Sequence, residues 1–311
     1  MANILVTGGA GFIGSHLVTK FVELGHQVRV FDNLSSGSRA NLEHVADRFE
    51  FIEGDLCHPE ECLRACLGIE YVFHEAALAS VPRSVDDPEP SHDTNINGTF
   101  NLLLSAVHHK VKRVIYAASS SAYGDSDKLP KTERMKATPL SPYAVQKLAG
   151  EAYCTAFYKC YGLETISLRY FNVFGARQDP ASDYAAAIPA FVVSILRGVP
   201  PKVFGDGEQT RDFTHIDNVV HGNVLAMKVR KTRGEVINCA CGGKISINRV
   251  IEAINKALGK NVRPEYLPPR TGDVMHSAAD IALAKKLLGF EPIVSFEDGL
   301  GRAIEYYKSL A

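Results

Sequence analysis

Tyr143 and Lys147 stand four positions apart in this 311-residue chain. On a helix that spacing puts both side chains on one face. A tyrosine alone, with a pKa of ~10, is a poor base at neutral pH, and a cation beside it stabilises the phenolate. The pair could therefore move a proton on and off a substrate hydroxyl. A tyrosine ring packed on a lysine stem meets the same spacing, so its meaning depends on what surrounds it. Upstream lies a run of hydroxyls, Ser119-Ser120-Ser121, directly after the apolar stretch Val114-Ile115-Tyr116-Ala117. If that stretch is a parallel strand, the serines sit at its carboxyl end, where such sheets bind ligands.

A second cluster concerns phosphate. Thr7-Gly8-Gly9-Ala10-Gly11-Phe12-Ile13-Gly14 places glycines at 8, 11 and 14. A tight turn that lets backbone approach a pyrophosphate needs residues without a β-carbon, and the helix that follows directs free N–H groups at the anion. A glycine triplet alone is weak evidence, but here a strand precedes it, a helix follows, and Asp32 ends the next strand. A carboxylate there accepts bonds from a ribose diol and repels a 2′-phosphate, which predicts NAD over NADP. Arg39 could compensate for a phosphate, but reads as a surface residue. Asp55 and Leu56, ending the third strand, are expected near the adenine. The positive nicotinamide ring would then join Lys147 in lowering the Tyr143 pKa.

These groups need a scaffold. Ile4–Val6, Val28–Phe31, Phe49–Ile52, Tyr71–Phe73, Val114–Ala117 and Glu164–Arg169 read as strands. Helical segments lie between them: Phe12–Leu24, Pro59–Leu67, Ser91–His108 and Ser141–Tyr161, the last with Ser141 as N-cap and Pro142 at its first position. Strand–helix alternation predicts an α/β fold, a Rossmann-type doubly wound parallel sheet. After Phe174 glycine, proline and aspartate become frequent and helices fewer, notably Ile188–Arg197 and Ile247–Leu258. The expected organisation is a dinucleotide-binding domain over 1–174, with 213–229 returning to it. A smaller C-terminal α/β substrate domain takes 175–212 and 230–311. Lys plus Arg total 34 against 35 Asp plus Glu, so no excess charge favours nucleic acid or a membrane surface. No apolar run reaches ~20 residues and no leader is apparent. The seven cysteines lack metal-ligand spacing. Cys62 and Cys66, one helical turn apart near Cys57 and His58, are expected as buried thiols of a cytoplasmic protein, with no metal.

Taken together, Thr7–Gly14, Asp32-Asn33, Asp55-Leu56, His74–Ala77, Asn95–Thr99, Ser119–Gly124, Tyr143–Lys147, Arg169–Asn172, Arg211-Asp212 and Arg270–Asp273 resemble the extended short-chain dehydrogenase/reductase superfamily. Within it, the chain is similar to the nucleotide-sugar 4-epimerases over nearly its whole length. The resemblance implies that Tyr143 exchanges a proton with the C4 hydroxyl while hydride passes from C4 to NAD and back to the other face. Lys147 keeps Tyr143 acidic and holds the nicotinamide ribose. The family's Ser or Thr four residues before a Tyr-Gly pair, counted back from Tyr123, is Ser119, with Ser120 beside it. Cofactor contacts are implied for Gly8, Gly11, Phe12, Ile13, Gly14, Asp32, Asn33, Asp55, Leu56, Ala76, Ala77, Asn95, Tyr143, Lys147 and Phe171.

The same resemblance implies a UDP-sugar substrate. Arg211 and Arg270 would grip its phosphates, Asp273 the nucleotide, Lys202, Val203 and Phe204 the uracil, and Asn172 the diphosphate or sugar, with Ala187 and Ile188 nearby. Ser119 and Tyr143 would meet the sugar. Sugar 4,6-dehydratases carry Asp-Glu after the family Ser or Thr, whereas this chain has Ser120-Ser121. Ser277 and Ala79 stand where strict glucose/galactose forms have tyrosine and lysine. Both open volume, which favours UDP-N-acetylglucosamine and UDP-N-acetylgalactosamine, although neutral drift would give the same residues. Open alternatives are UDP-glucose/UDP-galactose, UDP-glucuronate, a decarboxylase or dehydratase, and a non-catalytic NAD-binding regulator, which would not need Tyr143 and Lys147. Relatives pair as homodimers through the helices matching Ser91–His108 and Pro142–Tyr161.

Overall fold

A computed structural model of the chain describes residues 1–180, 187–269 and 274–310. Its first strand, β1 (Asn3–Thr7), is apolar on both faces, with Ile4 and Val6 entering one hydrophobic cluster and Leu5 another. A parallel strand buried on both sides needs helices above and below. The chain supplies them in alternation: α1 (Phe12–Glu23), β2 (Gln27–Asp32), β3 (Glu50–Glu53), α2 (Pro59–Cys66), β4 (Tyr71–His74), α3 (Val81–Asp86), α4 (Pro88–His92), α5 (Thr99–His108), β5 (Arg113–Ser119), α6 (Pro142–Tyr161) and β6 (Glu164–Tyr170). Then follow β7 (Val173–Phe174), α7 (Ala187–Leu196), β8 (Lys202–Phe204), β9 (Thr210–Arg211), β10 (Thr214–His215), α8 (Ile216–Lys228), β11 (Glu235–Cys239), β12 (Ile245–Ser246), α9 (Ile247–Leu258), β13 (Glu265–Leu267), α10 (Ala282–Leu288) and α11 (Phe296–Ser309).

Seven parallel strands form the main sheet in the order β3-β2-β1-β4-β5-β6-β11. The strand order reverses direction between β1 and β4, and a doubly wound sheet opens its ligand crevice at the carboxyl ends of such a pair. One face packs on α1 and α8, the other on α2, α5 and α6. A third cluster joins Phe191 and Val192 of α7, Val250 and Ile254 of α9, and Ile304 and Tyr307 of α11.

Two elements differ from the sequence expectation. The stretch 230–311, expected wholly in the substrate-binding part, contributes β11 to the main sheet. Ala284 of α10 and Phe290 pack in the same core as β1. Glu235–Cys239 is a short run beyond the change in texture, and pairing with β6 across a long crossover has no local signature. The helix expected over Ser91–His108 begins at Pro88 and contains a wide π turn, Asp93–Gly98. Cys62 and Cys66 are buried, and the Cys62 thiol donates to the Leu56 carbonyl at 3.4 Å. Among the described residues no group of three His, Cys, Asp or Glu could hold a metal ion. Among them, too, no helix is long and apolar enough to cross a membrane.

The element that matters most for the site is α6. Ser141 caps it, accepting from Ala144 N at 3.2 Å, Pro142 starts it, and Gly162 closes it with φ 71°. Midway, Gly150 lets the helix lie against β5, since a Cβ there would come 2.2 Å from the Tyr116 hydroxyl. In an open helix Gly→Ala gains about 1 kcal/mol. Here the sign reverses: Gly150→Ala should destabilise by about 1–3 kcal/mol through overpacking, read as a lowered Tm. Turnover should fall with it, because Tyr143 and Lys147 ride on the same helix. A raised Tm would show that α6 does not need this approach.

Candidate active site

The turn after β1 is built for close approach. Gly8 has φ 65°, and a Cβ on it would lie 2.7 Å from Ala76 Cα. A Cβ on Gly14 would lie 2.1 Å from the Gly8 carbonyl oxygen. Gly11 caps α1, so Phe12 and Ile13 present the free N–H groups of its first turn. At the end of β2, Asp32 is buried; Oδ2 accepts from Ala10 N at 2.9 Å and Oδ1 from Leu34 N at 2.8 Å. Burial raises its pKa while these N–H groups oppose the rise. The carboxylate is thus fixed to the glycine turn itself, with lone pairs left for a diol. Asn33 donates to Asp55 Oδ2 at 2.8 Å. Burial pushes the Asp55 carboxyl up, but Cys57 N–H and Asn33 outweigh it and hold the group below its ordinary range. Arg39 pairs with Glu53 at 3.0 Å and stacks on Phe51 at the surface. These residues fit a dinucleotide: a cradle that any side chain would fill, a helix N-terminus, and an acid where a 2′-phosphate would fall.

Across the crevice, α6 presents Tyr143 and Lys147. The Tyr143 N–H, one of the first-turn donors a helix leaves unpaired, donates to Ser84 Oγ on α3 at 3.1 Å. Burial pushes the Tyr143 phenol up to about 12, and its hydrogen bond with Ser119 acts downward. Ser119 closes β5 and caps the turn Ser120–Tyr123. Its Oγ accepts from the Ser121 hydroxyl at 2.9 Å and from Ser121 N at 3.2 Å. With those bonds accepted, the Ser119 proton remains available to the phenol oxygen or a substrate oxygen. Lys147 is 4% exposed and donates from Nζ to the Ala117 carbonyl at 2.8 Å. Burial lowers its pKa to about 8, against the pull of Glu75, Glu151 and Cys154. Ser120 follows Ser119 on the turn, half-buried.

From Ser119 a continuous wall leads into the second unit. Ser119 pairs with Tyr170 in the sheet, and Asn172, two residues on, donates to the Asp212 carbonyl at 3.5 Å. The buried Asp212 carboxylate accepts from Cys241 N, Gly242 N and Ala279 N at 3.1, 2.9 and 3.1 Å. Burial raises its pKa to about 6 against those bonds. Neighbouring Arg211 reaches the Thr210 and Met275 carbonyls at 3.0 and 3.2 Å, and Ser277 N donates to Thr210 O at 3.0 Å. Beyond them opens a mainly apolar cleft of ≈ 680 Å³, lined by Phe204, Gln209, Tyr266, Leu267, Pro269 and Met275 among others.

Not every expected contact faces this surface. Val203 and Ile188, each 1% exposed, lie in the third core cluster, because the alternation of β8 and the apolar face of α7 turn them inward. Lys202 is exposed and Ala187 half-buried at the start of α7. Phe171 is fully buried, its ring 6.0 Å from that of Tyr123. Asn95, buried in the π turn, accepts from Leu78 N at 2.9 Å and donates to Leu78 O and Gln146 Oε1 at 3.2 and 2.8 Å. It shapes the loop of Ala76, Ala77 and Leu78 rather than offering a free amide. Leu56 is 5% exposed and packs in the core beneath Asp55. Arg270 and Asp273 lie outside the described residues. Residues the sequence reading missed include Ser84, Gln146 and Tyr266. Gln146, 2% exposed one place before Lys147, bonds Asn95 and Ser91, partners distant in the chain that leave no local signal in the sequence.

Comparison with known proteins places this geometry. The model of the NAD dependent epimerase/dehydratase family matches residues 4–240. UDP-glucose 4-epimerase from Thermotoga maritima, solved with UDP-glucose, is 41% identical, with a TM-score of 0.95 and 99% of each chain covered. UDP-N-acetylglucosamine 4-epimerase from Methanobrevibacter ruminantium, solved with UDP-N-acetylmuramic acid, is 39% identical at a TM-score of 0.95, covering 100% of this chain and 99% of the other. UDP-glucuronic acid 4-epimerase from Bacillus cereus, solved with UDP-glucuronic acid and NAD, is 35% identical at a TM-score of 0.93, covering 99% and 100%. The chain belongs to the NAD dependent epimerase/dehydratase family, as an NAD-dependent epimerase. NAD is its cofactor.

Asp32→Ala should weaken NAD at least about tenfold, since charge-assisted hydrogen bonds contribute about 1.5–3 kcal/mol. It should also relax discrimination against NADP. Cofactor titration of stripped protein, followed by fluorescence, reads both. An unchanged NAD-to-NADP ratio would remove Asp32 from cofactor choice.

Proposed function

We propose that this chain interconverts UDP-hexoses at C4 through a 4-keto sugar, with UDP-N-acetylglucosamine and UDP-N-acetylgalactosamine as the preferred pair and UDP-glucose and UDP-galactose as further substrates. The observation that carries the reading is the placement of the Ser119 hydroxyl beside the Tyr143 phenol at the crevice, with serines and no carboxylate at the next two positions. Oxidation and reduction at C4 need one proton exchanged at the C4 oxygen, which a phenol and a hydroxyl provide. Elimination of water would need an added acid and base, which Ser120 and Ser121 cannot be.

The glycine turn, the first-turn N–H groups of α1 and Asp32 would hold NAD, which would supply a reversible hydride acceptor for C4 and a positive ring that favours the Tyr143 phenolate. Tyr143 Oη takes the proton of the C4 hydroxyl and gives it back. Ser119 Oγ hydrogen-bonds the C4 oxygen, whose charge changes as the bond order to carbon changes. The Lys147 ammonium favours the phenolate and holds the cofactor ribose. Arg211, with Arg270, binds the diphosphate, and a planar base enters the cleft beside Phe204 and Tyr266. Ala79 is exposed on the loop after β4 and Ser277 is half-buried beside the Arg211 strand. Two small side chains leave room for an acetamido group. A glucuronate carboxylate would call for a cationic or hydroxyl-rich partner; Ala79 offers nothing polar and Ser277 a single hydroxyl.

Two copies of the chain are proposed to pair through α5 and α6, where Phe100, Leu104, Val145 and Tyr161 are exposed apolar residues. All seven thiols are free, which suits a reducing cytoplasm.

Incubation with the UDP forms of glucose, galactose, N-acetylglucosamine and glucuronate, followed by chromatography, tests the reading. The N-acetylated sugar should convert most efficiently. Ser277→Tyr should then lower kcat/KM for that sugar by roughly ten- to two-hundred-fold relative to UDP-glucose. Equal retention of both activities would place the acetamido group elsewhere, and conversion of glucuronate alone would overturn the choice of sugar.

A further inference from the structure

Behind the crevice lie two buried cations, one buried carboxylate and the half-buried Glu75. Lys147 and Arg169 are each 4% exposed, and Glu151 is 3% exposed. The Oε2 atom of Glu75 is shielded from solvent and takes no hydrogen bond. Glu151 is committed to Arg169 through a fork, with Nε to Oε1 at 2.8 Å and Nη2 to Oε2 at 2.7 Å. By elimination, Glu75 is the carboxylate left to balance Lys147.

The topology puts it within reach. In the β4–β5 register His74 lies beside Tyr116. Glu75 therefore leaves the sheet next to Ala117, whose carbonyl holds Lys147 Nζ. The carboxylate is also fixed in place. Tyr170 donates from its hydroxyl to Glu75 Oε1 at 2.8 Å, and Asn223 of α8 donates to that same hydroxyl oxygen at 2.8 Å. The Glu75 N–H donates to the Thr7 carbonyl at 3.2 Å, tying the residue to the end of β1. A buried ammonium with no counter-charge costs several kcal/mol and sheds its proton instead.

We propose that Glu75 is a positioning residue acting through Lys147: its carboxylate is the counter-charge that keeps the ammonium protonated behind Tyr143. Only the consequence for turnover rests on the 4-epimerase reading.

Apart from Tyr143, whose proton a bound nicotinamide ring makes easier to lose, the other groups around the pair hold their charge state near neutrality. Burial pushes His74 of β4 down to about 3, so it stays neutral. It pushes up Tyr116 of β5, Tyr143 and Cys154 of α6, Tyr170 of β6 and Cys239 of β11. Glu151 is neutralised by Arg169. Glu75 itself is raised to about 7 by burial, against the pull of Tyr170 and Lys147. Removing its charge must let Lys147 lose its proton at lower pH.

The test uses the NAD-loaded enzyme labelled with ε-¹³C lysine, the Lys147 resonance being identified by its loss in Lys147→Arg. Lys147 in the native protein should titrate near 8. In Glu75→Gln, which keeps the volume and the Tyr170 bond, its midpoint should fall by roughly one to three units. Glu75→Asp should restore much of the shift, and the alkaline limb of the kcat profile should move with the midpoint. If Glu75→Gln does not fold, Tyr170→Phe, which makes the carboxylate less acidic, should lower the Lys147 midpoint in the same direction. An unchanged midpoint in either folded variant overturns the proposal. A moved midpoint with no matching change in kcat upholds the charge pair and counts instead against the assigned reaction.

Discussion

A protonated lysine held out of water is the constraint around which this site is organised. In the proposed mechanism Lys147 acts only as an ammonium, and burial works against that form. The fold answers with close packing and fixed polar partners. Gly150 lets α6 sit against β5, so that Nζ meets the Ala117 carbonyl. Ser84 takes the Tyr143 N–H at the head of the helix, Asn95 and Gln146 bind α6 to the loop after β4, and Arg169 anchors Glu151 one turn beyond Lys147. Each of these bonds fixes α6 in the direction that aims Tyr143 at Ser119. The phenol, the ammonium and the serine are therefore one rigid unit built from β5, β6 and α6.

Much of the first half was legible in the sequence because its signals are local. The glycine turn, Asp32 at a strand end and the Ser141-Pro142 helix start are each short patterns with a backbone cause, and their positions agree with the structure. The apolar strands were equally plain, since burial on both faces removes polar alternation. Less legible were features set by distant partners. Strand β11 is only five residues long and is defined by pairing with β6, not by its own composition. Asn95 reads as a cofactor contact from its motif, yet its amide is consumed by Leu78 and Gln146, which are close only in space. Val203 and Ile188 stand in the segments the resemblance points to, with side chains turned inward, and a segment match cannot tell which side of a two-faced strand or helix meets a ligand.

The second unit shows how sugar choice can vary while the chemistry stays fixed. Asp212 gathers backbone N–H groups from the loops at 241–242 and 279, and so holds Arg211 and Ser277 on a common wall facing Ser119. On the proposed reading, substrate breadth depends on the Ser277 and Ala79 side chains, while the backbone of the Ala79 loop stays tied to α6 through Leu78, Asn95 and Gln146. Relatives named for glucose, N-acetylglucosamine and glucuronate share this fold at TM-scores of 0.93–0.95, as expected if pocket side chains set the sugar on a common backbone.

In the proposed mechanism hydrogen leaves C4 as hydride and comes back without meeting water, at the crevice lined by the glycine turn and α6. This return is tested most directly with substrate carrying deuterium at C4, converted by the NAD-loaded enzyme in ordinary water and examined by mass spectrometry and proton NMR. The account predicts that the epimeric product keeps all of its deuterium at C4. Replacement of that deuterium by solvent hydrogen during turnover would contradict it.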